Sequence, residues 1–481
     1  MNILEISNLN FIYNTSGTLN NGQLQNVNGS KDIFSAPALR DINIKIPKGS
    51  IVTVCGPTGC GKSTLLKLLK QEIAPAGALS GEIIFDGKPL SSLSAFEQGS
   101  RIAILLQNPE DQIVTDKDWH ELAYGLENLG YERSSVENRL AEMLSFFRLE
   151  PIARTDTDKL SGGQKQLVLL ASLFAVSPEL LLLDEPISQL DPETSELFIG
   201  TLKRLHEKLG TTIIIAEHKL KSLLPISDSV IVMDKGSVKA YGPYKEVKTV
   251  LEQTLPPLIS EKDSCPAPAS PSLSLKNIYF RYSLKSPDVL ENLCADFRKG
   301  LIYAIFGCNA AGKTTLLNVI SGLYKPQEGR IKTLQKKPKI AYLPQNADLL
   351  FISDTVKGEL KASGISPGRI PEHIRNLDPA RSPYDLSGGE KQLLALTKLI
   401  GSDPDIILLD EPTKGTDVIL SKTILNELKR FTENDKIVIM STHDIAFAKS
   451  SADMCAIMSM GRLTAFKPGK EFFESNRLYR I

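Results

Sequence analysis

Two kinds of apolar pattern alternate along the chain. Short unbroken runs at residues 50–54, 180–183 and 211–216 have the length and β-branched content of strands covered on both faces. Around them, residues 62–72 and 193–209 carry apolar side chains at helical spacing. Strand-then-helix order of this kind predicts a parallel α/β core. A third pattern, the strict alternation of Ile42, Ile44 and Ile46, predicts half-buried antiparallel strands flanking that core.

The whole pattern occurs twice. Residues 8–13 return as 277–282, residues 160–166 as 386–392, residues 182–186 as 408–412, and His218 as His443. The loop Gly56-Pro57-Thr58-Gly59-Cys60-Gly61-Lys62-Ser63-Thr64 returns as Gly307-Cys308-Asn309-Ala310-Ala311-Gly312-Lys313-Thr314-Thr315. Matched residues stand 269 positions apart at Tyr13 and Tyr282 but 225 apart at His218 and His443, so the second copy has lost segments. One loss lies opposite residues 14–37, an Asn/Gly/Ser-rich stretch that reads as a long hairpin loop. Between the copies, Pro256, Pro257, Pro266, Pro268 and Pro271 interrupt any helix or central strand. The expected division is a first domain over 1–245, a Pro-rich linker over 246–271 and a second domain over 272–481.

Composition narrows the class without naming it. With 42% apolar and 23% charged residues, each half can bury a core unaided. Lys plus Arg and Asp plus Glu number 56 each, so no net field draws the chain to nucleic acid, and none is expected as a partner. The longest apolar stretch, residues 167–176, is half of what a spanning helix needs, and the first residues show no secretion signal. The six cysteines are scattered without a C-x-x-C pair, which suits reduced thiols.

The chemistry sits on the repeated motifs. A G-x-x-x-x-G-K-[ST] loop after a strand and opening a helix wraps backbone N–H groups around phosphates, with Lys62 and Lys313 reaching the β and γ phosphates. Ser63 and Thr314 offer hydroxyls to Mg²⁺. Asp184 and Asp410 end apolar strands, where a carboxylate would help hold that metal. Glu185 and Glu411 follow at once, placed to polarise the attacking water as general bases. His218 and His443 each close a β-rich run, and their repetition suggests contact with the γ-phosphate.

Leu-Ser-Gly-Gly-Gln/Glu followed some twenty residues later by Asp-Glu-Pro resembles the ABC ATPase family, and both copies match throughout. The resemblance implies tandem P-loop nucleotide-binding domains, each a parallel α/β core with an antiparallel β subdomain and a helical signature subdomain. It implies ATP and Mg²⁺ as cofactors, and a head-to-tail pairing within the chain. In that pairing Ser161, Gly162 and Gly163 cap the nucleotide on Lys313, and Ser387, Gly388 and Gly389 the one on Lys62. Tyr13 and Tyr282 would stack on adenine. Gln107 and Gln345 would contact the metal site and link it to a membrane partner.

Residues 107–112 and 125–130 look like the energy-coupling-factor (ECF) type within that family. That likeness implies an importer for a vitamin or transition-metal ion, its transmembrane coupling protein and substrate-binding membrane protein lying on separate chains. The protein would then be peripheral, on the cytoplasmic face of the membrane. Asp111 and Gln112 are expected to anchor the coupling protein, with Asp348 as the weaker counterpart. Two rivals are the duplicated ATPase of sugar importers and a soluble, translation-associated ABC protein.

Overall fold

The computed structural model describes residues 1–13, 37–188, 190, 192–218, 220–256, 270–283, 286–335, 337–476 and 479. The hairpin-loop reading at 14–37, most of the linker, and Gln189 and Asp191 in the segment after Glu185 fall almost wholly outside these residues. The chain forms two compact units, Met1–Pro256 and Pro257–Ile481.

In the first unit a six-stranded sheet runs in the order Ser237–Gly242, Ser229–Asp234, Ile51–Cys55, Thr212–Ala216, Leu180–Asp184, Ile102–Leu105. The last five strands are parallel, and Ser237–Gly242 is an antiparallel edge. Its central strands are unbroken apolar runs because both faces are covered. Leu181 and Leu183 point to the helical side, packing with Val168, Leu170 and Phe174 of the helix Gly162–Ala175. Leu180 and Leu182 point the other way, into a core closed by the antiparallel sheet of Leu39–Pro47, Asn2–Tyr13, Gly77–Phe85 and Lys88–Pro89. Ile42, Ile44 and Ile46 are buried in that layer, as their alternation predicts. Each fully buried side chain of this kind contributes roughly 1.5–3 kcal/mol.

The second unit repeats the plan. Its sheet runs Ile340–Leu343, Ile406–Asp410, Ile437–Ser441, Ile302–Phe306, Met454–Ser459, and its antiparallel layer is Leu290–Phe297, Leu273–Phe280, Glu328–Thr333. The helical subdomain is reduced. Where the first unit has helices Asp118–Asn128 and Arg133–Phe147, the second has Val356–Ser363 and a single turn at Glu372–Arg375.

The first unit extends past residue 245. Helix Tyr244–Thr254 buries Val247 and Leu251 against Val230 and Val232 of strand Ser229–Asp234, next to the edge of the sheet, so its sequence belongs to the core and not to a connector. Among the described residues no helix is long and apolar enough to cross a membrane.

Candidate active sites

Each phosphate loop is shaped by glycines that nothing larger can replace. Gly56 has φ +154°, and a Cβ there would lie 2.2 Å from Met233 O; Gly307 has φ +150° and would meet Met458 O at 2.3 Å. The loops close on the hydrogen bonds Cys60 N to Pro57 O (3.1 Å) and Ala311 N to Cys308 O (3.2 Å). Ala310 stands with φ +61° where the first unit has Gly59 at +76°, so the second loop carries a small strain at the same turn. Helices Lys62–Leu68 and Lys313–Ser321 start here with Gly61 and Gly312 as left-handed caps, leaving first-turn N–H groups for a phosphate. Lys62 is buried, its ammonium donating to Gly56 O (2.9 Å) and Pro57 O (3.1 Å); Lys313 donates to Gly307 O (2.7 Å) and Cys308 O (3.0 Å). Both cations are thus poised over the hollow of the loop, held by carbonyls that a phosphate's oxygens can replace.

The strand-end acids converge on these loops. Ser63 Oγ donates to Asp184 Oδ1 at 2.9 Å and Thr314 Oγ1 to Asp410 Oδ2 at 2.6 Å. Burial, then the charge of neighbouring Glu185, pushes the Asp184 carboxyl up to about 6, against hydrogen bonding from Ser63 and the nearby lysines. A buried carboxylate so poorly compensated, beside a hydroxyl, is an oxygen pair that a hard divalent cation would satisfy. Asp410 is better partnered: Ser441 Oγ donates to it where the first unit has Ala216, and the phenol of Tyr342 bonds it where the first unit has Ile104. Burial, and then Asp410, raises the Tyr342 phenol well above its ordinary range.

Glu185 and Glu411 both adopt left-handed backbone, φ +49° and +52°, a conformation costing a non-glycine residue on the order of 1–3 kcal/mol. The same strain at the same acid in both units points to function. Glu185 accepts from Gln107 Nε2 at 2.7 Å and lies 2.9 Å from His218 Nε2. Burial raises its pKa, but the hydrogen bond and charge of His218, with Lys62 and Gln107, outweigh this and hold the carboxyl below its ordinary value. Nδ1 of His218 is buried without a hydrogen-bond partner among the described residues.

The second unit arranges the same residues differently. Lys313 Nζ lies 3.2 Å from His443 Nε2, so that nitrogen accepts, and its distance to Glu411 Oε1 is 3.4 Å. Glu411 Oε2 accepts instead from the His443 amide at 3.1 Å. Lys414, at the position of Ser188, is largely buried near Glu411 and Asp410; burial lowers its pKa and those two acids oppose the shift. Gln345 is exposed, and its carbonyl accepts from Gln392 of the signature helix at 3.3 Å. Gln107 therefore joins the carboxylate cluster of its unit, and Gln345 does not.

Tyr13 and Tyr282 leave their rings 43% and 59% exposed while their hydroxyls bond Thr64 (2.7 Å) and Thr315 (2.9 Å). Each offers an anchored aromatic face beside a phosphate loop. In the signature motifs, Ser161 and Ser387 form capping boxes with Gln164 and Glu390 at helix starts Gly162–Ala175 and Gly388–Gly401. A Cβ on Gly162 would meet nothing, but on Gly163 it would lie 2.6 Å from Thr194, and on Gly389 2.7 Å from Leu420. The second glycine of each motif is therefore fixed by packing inside its own unit, a role its sequence does not announce.

Gln112 likewise has an internal role. Its Oε1 accepts from Leu106 N at 2.9 Å and its Nε2 donates to Ile104 O at 2.8 Å, bracing the backbone just before Gln107. Asp111 is exposed. Asp348 pairs with Lys391 at 3.0 Å, repeating the Glu110–Lys165 pair, so its counterpart is Glu110 and not Asp111. Gln112→Ala removes two hydrogen bonds, worth about 1 to 3 kcal/mol, and frees Gln107. ATP hydrolysis in solution is expected to fall several-fold in Gln112→Ala and to stay at the parental rate in Asp111→Ala. Equal rates in the two variants would remove the brace from the catalytic account.

Both units carry the machinery of a P-loop nucleotide hydrolase, built twice in one chain. The ABC transporter family model matches residues 39–188 and again 290–414, and the chain belongs to that family as an ATP-binding ATPase. An ABC transporter ATP-binding protein of Bacillus cereus is 32% identical over 532 residues, covering 99% of this chain and 93% of its own. Another, of Bacillus thuringiensis subsp. konkukian, is 33% identical over 500 residues, covering 92% and 91%. The structure of an RNase-L inhibitor aligns with a TM-score of 0.64 at 21% identity over 91% of this chain and 90% of that one, a likeness of fold.

Proposed function

We propose that this protein is the energising ATPase of an ECF-type importer, working on the cytoplasmic face of a membrane through a coupling protein and a substrate-binding protein on separate chains. The observation that supports it most is that neither unit has lost its lysine, aspartate, glutamate or histidine, each set drawn around its own phosphate loop. Mg²⁺ would be held by Ser63 and Asp184, and by Thr314 and Asp410, while ATP is oriented by the loop amides and Lys62 or Lys313. Glu185 and Glu411 take the proton of the attacking water, and His218 and His443 sense the γ-phosphate. The units pair head to tail, so that each signature serine completes the other unit's nucleotide site.

The ECF reading rests on residues 107–112 and 125–130, and its cargo is a vitamin or a transition-metal ion. Exposed Val114, Trp119 and Tyr124 around helix Asp118–Asn128, beside Asp111, supply apolar surface and a charge for helices of a coupling protein. Capture of the tagged chain from detergent-solubilised membranes should bring down two small polytopic membrane proteins, and Asp111→Ala should weaken that capture. Recovery with ribosomes instead would replace this reading with the translation-associated one.

A further inference from the structure

The first unit anchors its histidine by a device the second lacks. Strand Thr212–Ala216 is followed by Glu217, which is wholly buried. Its amide donates to Val54 O at 3.1 Å, fixing it against the strand that enters the phosphate loop. A carboxylate is buried this deeply only when hydrogen bonds receive it. Here Oε1 accepts from the amide of His218 at 2.7 Å and Oε2 from the amide of Ile187 at 3.3 Å. Ile187 lies two residues after Glu185, in the turn where Ser188 N and Oγ both bond Glu185 O. One side chain thus spans the segment bearing the histidine and the segment bearing the catalytic glutamate, beside the 2.9 Å contact between His218 and Glu185 themselves.

At the matching position the second unit has Thr442, whose hydroxyl accepts from Asp444 N at 3.0 Å. Asp444 in turn caps helix Ile445–Ser451 by accepting from Phe447 N at 2.9 Å. His443 is steadied by the helix that follows it, whereas the described residues between His218 and strand Ser229–Asp234 form only the short turns Leu220–Ser222 and Leu224–Ile226.

We infer that Glu217 is a positioning residue of the first ATP site, tying the His218 segment to the segment after Glu185 so that both groups meet the γ-phosphate in fixed register. The inference rests on hydrolysis through Glu185 and His218. Its test uses the full chain and four variants, Glu217→Thr, Glu217→Gln, His218→Ala and the Glu217→Thr/His218→Ala double, with kcat, KM for ATP, binding of a fluorescent ATP analogue and melting temperature measured for each. Glu217→Thr should bring kcat to within about threefold of His218→Ala while leaving nucleotide binding within about twofold of the parent. The double variant should be no slower than His218→Ala alone, because the effect passes through the histidine. Gln keeps one acceptor, so Glu217→Gln should fall between, and it decides the matter if the threonine variant does not fold. A parental kcat in Glu217→Gln or Glu217→Thr, or losses that multiply in the double variant, would overturn the inference and leave Glu217 a core carboxylate. A parental kcat in His218→Ala would overturn the histidine's role first, and this inference with it.

Discussion

Replacing both Glu185 and Glu411 by Gln is expected to slow ATP turnover about 10²-fold or more while nucleotide binding persists, the scale set by loss of general-base assistance. Gln is close to isosteric and keeps an oxygen that can accept from Gln107 in the first unit and from the His443 amide in the second. The left-handed backbone at both positions is fixed by its neighbours, with Glu185 N donating to Ala216 O at 2.8 Å and Glu411 N to Ser441 O at 3.1 Å. What the change removes is the negative charge and the basic oxygen. Lys62 and Lys313, the proposed phosphate ligands, are untouched. Phosphate release measured beside binding of a fluorescent ATP analogue separates the two effects, and normal hydrolysis by the double variant would strip both acids of their role. The single variants should differ, because Glu185 is engaged by His218 and Gln107, whereas the His443 ring in the second unit is drawn to Lys313.

Those parts of the machinery that depend on local spacing are legible in the amino-acid sequence. A phosphate loop needs its glycines and lysine at fixed intervals, and an apolar strand ending in Asp-Glu has one place to put them. What cannot be read there depends on contacts between distant segments. Gln112 resembles any other polar loop residue, and only the fold clamps its amide to residues 104 and 106. Gly163 has the spacing of a ligand's glycine, yet Thr194 stands where its Cβ would lie. Tyr342 reaches Asp410 only because the strands Ile340–Leu343 and Ile406–Asp410 are neighbours. Two other features do carry a local signal. The spacing of Val247, Val250 and Leu251 is helical, and it takes the first unit beyond residue 245. Glu217 is an acid at the end of an isoleucine run, a position where a charge needs a reason.

Ser161→Arg is expected to empty the nucleotide site on Lys313 while sparing the one on Lys62, if the two units pair head to tail. Helix Gly162–Ala175 begins with its second glycine seated against Thr194 of its own unit, but Ser161 is exposed and Gly162 faces open space. The start of a 14-residue helix presents unpaired N–H groups and a positive dipole end, which favour an anion. In the proposed pairing that anion is the γ-phosphate bound to Lys313, and an arginine side chain would fill its seat. The substitution also destroys the capping box, in which Ser161 Oγ accepts from Gln164 N at 3.3 Å and Ser161 N donates to Gln164 Oε1 at 2.9 Å. Ser161→Ala serves as the control, since it loses the cap, about 1 kcal/mol of helix stability, and adds no bulk. Turnover at the Lys313 site should fall about 10²-fold in Ser161→Arg, the scale for loss of donors to a reacting oxyanion, and much less in Ser161→Ala. Photolabelling with an azido-ATP, read peptide by peptide in the parent and both variants, assigns the loss to one loop. Labelling lost at the Lys62 loop and kept at the Lys313 loop would mean that each signature serves its own unit, and the head-to-tail arrangement would be wrong.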